Sequence, residues 1–256
     1  MAQTVVIVPC VEPFDWSGIL DFLRPRAIPG VEWVSGDRYS RLTAEGRLVV
    51  ERAPGGLRAQ TERPCSHLAR RIAEMFDVDA RARQARAVLS RDLVMRAWTR
   101  RWPGLRIPGA WDWFELAVRA ILGQQVSVAA ATTLSGRLAA KFGLSPEVMA
   151  EADVQSIGLP AQRAEAIRGL ARAVAEGLRP RHPDELLALP GIGPWTAQYV
   201  AMRAFRDPDA FPASDLGLRK AAGGCDAKTL AQRAEAWRPW RSYAAFYLWR
   251  HYGSGA

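Results

Sequence analysis

Cysteine and histidine are scarce in this 256-residue chain, three of each, and each scarcity removes a class of chemistry. Cys10, Cys65 and Cys225 lie far apart and give neither a paired disulfide framework nor the close spacings that zinc or an iron–sulfur cluster requires. His67, His182 and His251 do not gather around them, so no structural metal is expected. Long apolar runs are missing too. No stretch of 18 or more apolar residues offers a membrane span, and residues 1–10 lack the basic start and apolar run of a secretory signal. The chain therefore reads as a cytoplasmic protein with no membrane partner.

What the sequence does have is positive charge and apolar residues. Hydrophobic residues make up 49% of the chain, enough for one large core or two modest ones. The net charge is +9 and the isoelectric point about 10.2, which suits a polyanionic partner such as nucleic acid. Arginine vastly outnumbers lysine, however, and such a bias also arises from genomic base composition. Charge alone leaves the two readings about equally open.

The hydrophobic pattern changes along the chain. Residues 4–8, 39–43, 47–52 and 57–61 carry the β-branched or alternating residues of strands. Ala44-Glu45-Gly46 and Pro54-Gly55-Gly56 stand where hairpin loops belong. Residues 15–23 and 66–76 interrupt with helical periodicity, which makes a small α+β unit over 1–87. From residue 88 the periodicity is helical throughout, with about seven helices separated by Gly or Pro. One opens at Asp112, with Glu115 placed to complete a capping box and Phe114, Val118, Ile121 and Leu122 on its apolar face. It stops at Gly123. The next runs from Ser127 to Lys141 and ends at Gly143. Gln124 and Gln125 are thus held on a tight link between two helices.

The segment Leu189-Pro190-Gly191-Ile192-Gly193-Pro194-Trp195-Thr196-Ala197 reads as a turn between two helices. Gly191 and Gly193 allow a close approach of the backbone, and Pro194 suits a first helical position. Amides at the start of the second helix would then face outward, polarised by the helix dipole, as a site for one phosphate. A bare Gly-x-Gly-Pro is also an ordinary helix-to-helix turn. Likewise Asp215 before residues 216–222 reads first as a helix N-cap.

Several segments together decide between these readings: Phe14-Asp15-Trp16-Ser17, Gly104-Leu105-Arg106-Ile107-Pro108-Gly109, Arg119-Ala120-Ile121-Leu122-Gly123-Gln124, the hairpin, and Trp237-Arg238-Pro239-Trp240-Arg241-Ser242-Tyr243-Ala244. In this order and over nearly the whole chain, they resemble the helix-hairpin-helix DNA glycosylases, and among them the AlkA-type DNA-3-methyladenine glycosylases. The resemblance implies an α+β fold with a small antiparallel-sheet N-terminal domain (1–87). A mostly α-helical body (88–256) follows, with 88–111 and 224–256 forming one lobe and 112–223 the other. It implies a monofunctional enzyme of base excision repair that flips an alkylated base out of duplex DNA and hydrolyses its glycosidic bond.

The same resemblance assigns roles. Asp215 is the catalytic carboxylate. Trp195, Tyr199, Trp249 and Phe22, with Gln124 and Leu216, form the substrate pocket, where stacking and cation–π attraction favour an electron-poor base. Pro190, Gly191, Ile192, Gly193 and Thr196 hold DNA at the hairpin, and Gln125 enters the gap left by the flipped base. No cofactor is needed, apart from a monovalent cation that the hairpin carbonyls suit. Three positions depart from the family: Gln125 where leucine is usual, Ser214 where a second acid is common, and Leu216 where tyrosine is common. A lyase would need a lysine just after the hairpin, and this chain has Trp195 there. The partner implied is double-stranded DNA carrying alkylated bases, bound by a monomer.

Overall fold

The computed structural model describes residues 3–253, so the first two of the ten residues weighed as a signal, and the outer limits of the two expected domains, lie outside it. Five strands form one antiparallel sheet: β1 (Thr4–Pro9), β2 (Glu32–Ser35), β3 (Arg38–Thr43), β4 (Gly46–Ala53) and β5 (Gly56–Thr61), ordered β1-β5-β4-β3-β2. The β3–β4 and β4–β5 hairpins pair Thr43 with Gly46 and Ala53 with Gly56, so each loop has two residues. Four strands follow the sequence pattern, whereas β2 was not expected. It is a four-residue edge strand, too short to show an alternation, and it forms by pairing with β3.

The inner face of the sheet carries Tyr39, Leu48, Val50, Leu57 and Ala59. It packs under α1 (Trp16–Leu23) and α2 (Leu68–Phe76), which contribute Ile19, Leu20, Leu68, Ile72, Met75 and Phe76. That core ends at Val78. The next helix, α3 (Arg81–Leu89), buries Ala82, Ala85 and Leu89 in a different core, so the expected domain limit at 87/88 falls inside a helix that packs with the body.

Ten α-helices follow residue 88 among the described residues, against about seven expected. They are α4 (Leu93–Arg101), α5 (Trp113–Leu122), α6 (Val128–Phe142), α7 (Pro146–Glu151), α8 (Ala161–Ala175), α9 (Pro183–Leu187), α10 (Pro194–Arg203), α11 (Leu216–Ala221), α12 (Ala227–Ala234) and α13 (Arg241–Gly253). Three of them have only five or six residues, less than two turns, where periodicity carries no signal. Helices α5 to α9 enclose a second core around Ile121, Leu138, Ile167 and Leu170. Helices α3, α4 and α11 to α13 enclose the third, around Met95, Leu218, Leu230, Tyr243 and Phe246. Helix α10 belongs to both: Ala197 and Val200 face the second core, Ala201 and Met202 the third. The start of α11 therefore packs with the lobe of α13, although residues 112–223 were expected to form one lobe.

The helix start at Asp112 has half of the expected capping box. Asp112 accepts from the Glu115 amide at 3.0 Å, but the Glu115 carboxylate accepts from Arg41 Nη2 at 2.8 and 2.9 Å instead of reaching back. A charge-assisted bond to a buried guanidinium outweighs one to a backbone amide. The pair also ties the sheet to α5.

Where the three cores meet, Asp77 follows α2 in a left-handed conformation (φ 51°) and is 2% exposed. Tyr243 of α13 donates to it at 2.8 and 3.0 Å, the Ile107 amide at 3.2 Å and Arg81 of α3 at 3.4 Å. Burial pushes its carboxyl above the usual range, while Arg81 and the Tyr243 hydroxyl act against that rise. Replacing Asp77 by Ala leaves the buried Tyr243 hydroxyl and Ile107 amide without their acceptor. We expect a loss of about 3 kcal/mol, read as a lower urea midpoint at unchanged slope.

Candidate active site

The site grows from the start of α10. Gly191 sits at the tip of the preceding turn with φ +80°, and a Cβ there would lie 2.4 Å from the Ala166 side chain of α8. Both the backbone angle and the close packing require glycine. Ile192 is buried and anchors the turn in the second core, leaving Pro190 and Gly191 exposed at its tip. Gly193 is the N-cap and Pro194 takes the first helical position, so no side chain caps this end of a ten-residue helix. Its first amides are left for an external anion, in the positive field of the helix dipole.

One residue of the α5–α6 link, Gln124, meets this turn. Gln124 donates from Nε2 to the Gly191 carbonyl and to Thr196 Oγ1, both at 3.1 Å. Gln124, expected at the pocket, braces the hairpin through its amide nitrogen. Thr196, 1% exposed, accepts from that amide through its hydroxyl oxygen. Gln125 is exposed and held at φ +58°, an uncommon conformation for a side chain that is neither Gly nor Asn. Such strain is usual at functional turns.

Twenty residues beyond Trp195, the short turn Phe211–Ser214 delivers Asp215. One carboxylate oxygen accepts from the Leu218 amide at 2.9 Å, which caps α11, and from Trp249 Nε1 at 2.9 Å. The other accepts from Trp195 Nε1 at 2.9 Å. Three neutral donors thus fix a half-buried carboxylate that, among the described residues, has no cationic partner in hydrogen-bond contact. Being an N-cap and being poised for chemistry are compatible here, since the cap uses one oxygen.

The aromatic rings form a chain beside it. Trp195 and Tyr199, four apart on one face of α10, stack at 5.3 Å and 9°. Tyr199 meets Trp249 edge-on at 6.2 Å, Trp249 meets Phe246 at 5.2 Å, and Phe246 meets Phe22 of α1 at 5.0 Å. Phe246 was not singled out in the sequence, where it looks like any core residue of α13. Trp195, Tyr199, Trp249 and Phe22 are brought together as expected, all partly exposed, and Leu216 stands 61% exposed beside Asp215.

A ring of arginines, also unforeseen, closes the other side. Arg203 donates to the Tyr199 hydroxyl at 2.8 Å, and its guanidinium lies 5.0 Å from the Phe22 ring centre, with that of Arg26 at 3.9 Å. Burial alone would raise the Tyr199 phenol, but Arg203, Arg26 and Arg119 outweigh it and bring the group below its ordinary value. The i, i+4 spacing of Tyr199 and Arg203 could have disclosed one member; Arg26 and Arg119 come from distant segments.

Two family models match: the AlkA N-terminal domain over residues 6–112, and the HhH-GPD superfamily base excision DNA repair protein over residues 118–239. The DNA-3-methyladenine glycosylase 2 of Escherichia coli is 35% identical over 93% of this chain and 94% of its own length. The chain belongs to the AlkA family. A probable bifunctional transcriptional activator/DNA repair enzyme AlkA of Mycobacterium tuberculosis is 37% identical over 94% of this chain, which spans only 56% of that longer protein. A 3-methyladenine DNA-glycosylase of Archaeoglobus fulgidus shares the fold, with a TM-score of 0.82 at 20% identity over 100% of this chain and 99% of that one. The turn into α10 is thus the helix-hairpin-helix of an AlkA-family protein.

Asp215→Asn tests whether this carboxylate is held for chemistry or for folding. Asparagine caps helices as well as aspartate, but its amide would face the Trp195 N–H as a second donor. We expect the variant to fold, destabilised by about 1 kcal/mol, with its thermal midpoint lowered by only a few degrees.

Proposed function

We propose that this AlkA-family protein is a monofunctional DNA glycosylase that releases alkylated bases, 3-methyladenine and 7-methylguanine among them, from duplex DNA. The observation that carries this reading is the Asp215 carboxylate, fixed by two indole N–H groups beside an aromatic ring chain and one helix from an open helix N-terminus.

The chemistry follows from the substrate. Methylation at N3 of adenine or N7 of guanine makes the base cationic, so it leaves neutral when its bond to the sugar breaks. No general acid is then required. Positive charge develops on the sugar instead. A carboxylate about 4 Å away stabilises it by roughly 4 kcal/mol at an effective dielectric near 20, about a thousandfold in rate. Water then adds to the anomeric carbon and gives up a proton, to Asp215 or to solvent.

The hairpin supplies the grip on DNA. Backbone amides of α10 take a phosphate, while Gln125, exposed on its strained turn, fills the space of the flipped base with an amide able to bond the orphaned partner. A monovalent cation at the hairpin carbonyls is part of the proposal, because Gly191 O gives one lone pair to Gln124 and keeps the other. Trp195, at the place of the lyase lysine, leaves no amine to attack the sugar. Three free cysteines fit a reducing compartment, so we assign the protein to the cytoplasm, acting as a monomer.

Incubation with methylated duplex DNA should release free 3-methyladenine and 7-methylguanine and leave an intact abasic strand. Asp215→Asn should lower the single-turnover rate about a thousandfold while duplex affinity persists. Equal release by wild type and variant, or a borohydride-trapped protein–DNA adduct, would refute this mechanism.

A further inference from the structure

Positive charge is not spread evenly over this protein. Residues 81–103 carry seven arginines and a single acid, Asp92, so six of the nine net charges fall within about a tenth of the chain. Over the remainder acids and bases nearly balance, which a uniform compositional bias toward arginine does not produce. Arg81 is paired with Asp77 and Asp79, and Asp92 is committed to capping α4 and to Trp237. Among the described residues the other six, Arg83, Arg86, Arg91, Arg96, Arg100 and Arg101, have neither a carboxylate partner nor a hydrogen bond from the guanidinium.

Three of the six converge. Arg83 and Arg86 of α3 and Arg100 of α4 line a cleft of about 450 Å³ between the two helices, whose remaining walls are Ala87, Ser90, Thr99 and Pro103. Arg83 and Arg86 stand three apart on one helix face, and Arg83 lies in the first turn of α3, where the helix dipole disfavours a cation. Like charges so placed repel unless an anion covers them. The cleft faces away from the base site. On α13, Phe246 and Trp249 point to Phe22 and Asp215, while Tyr247 bonds the Trp102 carbonyl after α4 at 3.3 Å and His251 stacks on Trp98 of α4 at 4.6 Å. At about 100° per residue these two pairs lie about 150° apart around the helix. Helix α4 and the aromatic site thus flank α13 from opposite sides.

We propose that the α3–α4 cleft binds the phosphate backbone of a second duplex DNA segment, apart from the one that the hairpin holds. Exposed guanidiniums attract a single small anion weakly, because water and salt screen them, whereas a polyanion releases counterions as each phosphate is met. The walls hold no aromatic on which an unpaired base could stack and no large apolar side chain to anchor a protein. Duplex backbone therefore fits better than single-stranded nucleic acid or an acidic polypeptide. Three phosphate contacts weaken binding about fortyfold between about 50 and 200 mM salt. With one segment at the hairpin and another at the cleft, the protein bridges two stretches of DNA and can pass between them without leaving both. Binding there needs no damaged base, so it stands independently of the excision chemistry.

The test tethers one undamaged duplex to beads and offers a second, labelled duplex in solution. Wild-type protein should retain the labelled duplex, with an apparent affinity that falls about fortyfold or more from about 50 to 200 mM salt. Arg83→Gln/Arg86→Gln/Arg100→Gln should lower retention by about tenfold or more, with Arg83→Gln/Arg100→Gln in its place if the triple variant fails to fold. Arg83→Lys/Arg86→Lys/Arg100→Lys should keep it, since a point charge suffices for a phosphate. Both triple variants should excise 7-methylguanine at the wild-type single-turnover rate and keep the wild-type thermal midpoint, which shows that fold and hairpin are undisturbed. No retention by wild type, undiminished retention by the glutamine variant, or an equal loss in the lysine variant overturns the cleft as a DNA site. So does labelled polyglutamate held as firmly as duplex, which assigns the cleft to an acidic polypeptide. Absence of excision by wild type removes the glycosylase reading alone, and the bridging result is then read against the thermal midpoint.

Discussion

A single carboxylate shared between two indole N–H groups is the contact on which the site depends. Trp195 belongs to α10, Trp249 to α13, and Asp215 itself opens α11, so the two hydrogen bonds fasten three helices at one point. Their donors are neutral. Each lends the carboxylate only a partial positive charge, so most of its negative potential remains available to a cation that forms nearby. An arginine in either position would hold the carboxylate as firmly and cancel its field.

The architecture serves that contact. Helix α10 carries the hairpin at its start, the Trp195–Tyr199 stack on one face, and apolar residues for both helical cores on the others. The hairpin turn, the aromatic stack and the carboxylate's partner therefore sit on one helix. Asp77 and Arg106 hold the sheet domain to this frame: Asp77 through Tyr243, and Arg106 by donating to the backbone carbonyls of Val11 and Pro13. Phe22 and Arg26, from the sheet domain, are placed against α10 and α13 by those ties.

Much of this was legible in the residues. Four of the five strands showed their alternation, and Asp112 and Ser127 were recognisable N-caps because capping needs particular side chains. Asp215 and the pocket rings were found through motifs and their order; singly, each would pass for a cap or a core residue. What could not be read has a common cause. Glu115 left its capping box for Arg41, a residue 74 positions away. Gln124 turned toward a carbonyl 67 positions away. The arginine ring joins the 3-10 turn after α1 with α5 and α10. Local patterns do not encode such pairings, and the boundary near α3 was misplaced because the chain passes from the sheet core to a helical core between α2 and α3 while both helices keep the same periodicity.

The Gln124 brace makes the protein a fixed-span gauge. With its amide bridging Gly191 and Thr196, Gln124 ties the strained position of Gln125 to the turn that opens α10. Insertion depth and strand register are consequently set together by the polypeptide. In the DNA-bound arrangement proposed above, a duplex site would be sampled as a whole, at that one spacing, with no partial engagement to undo.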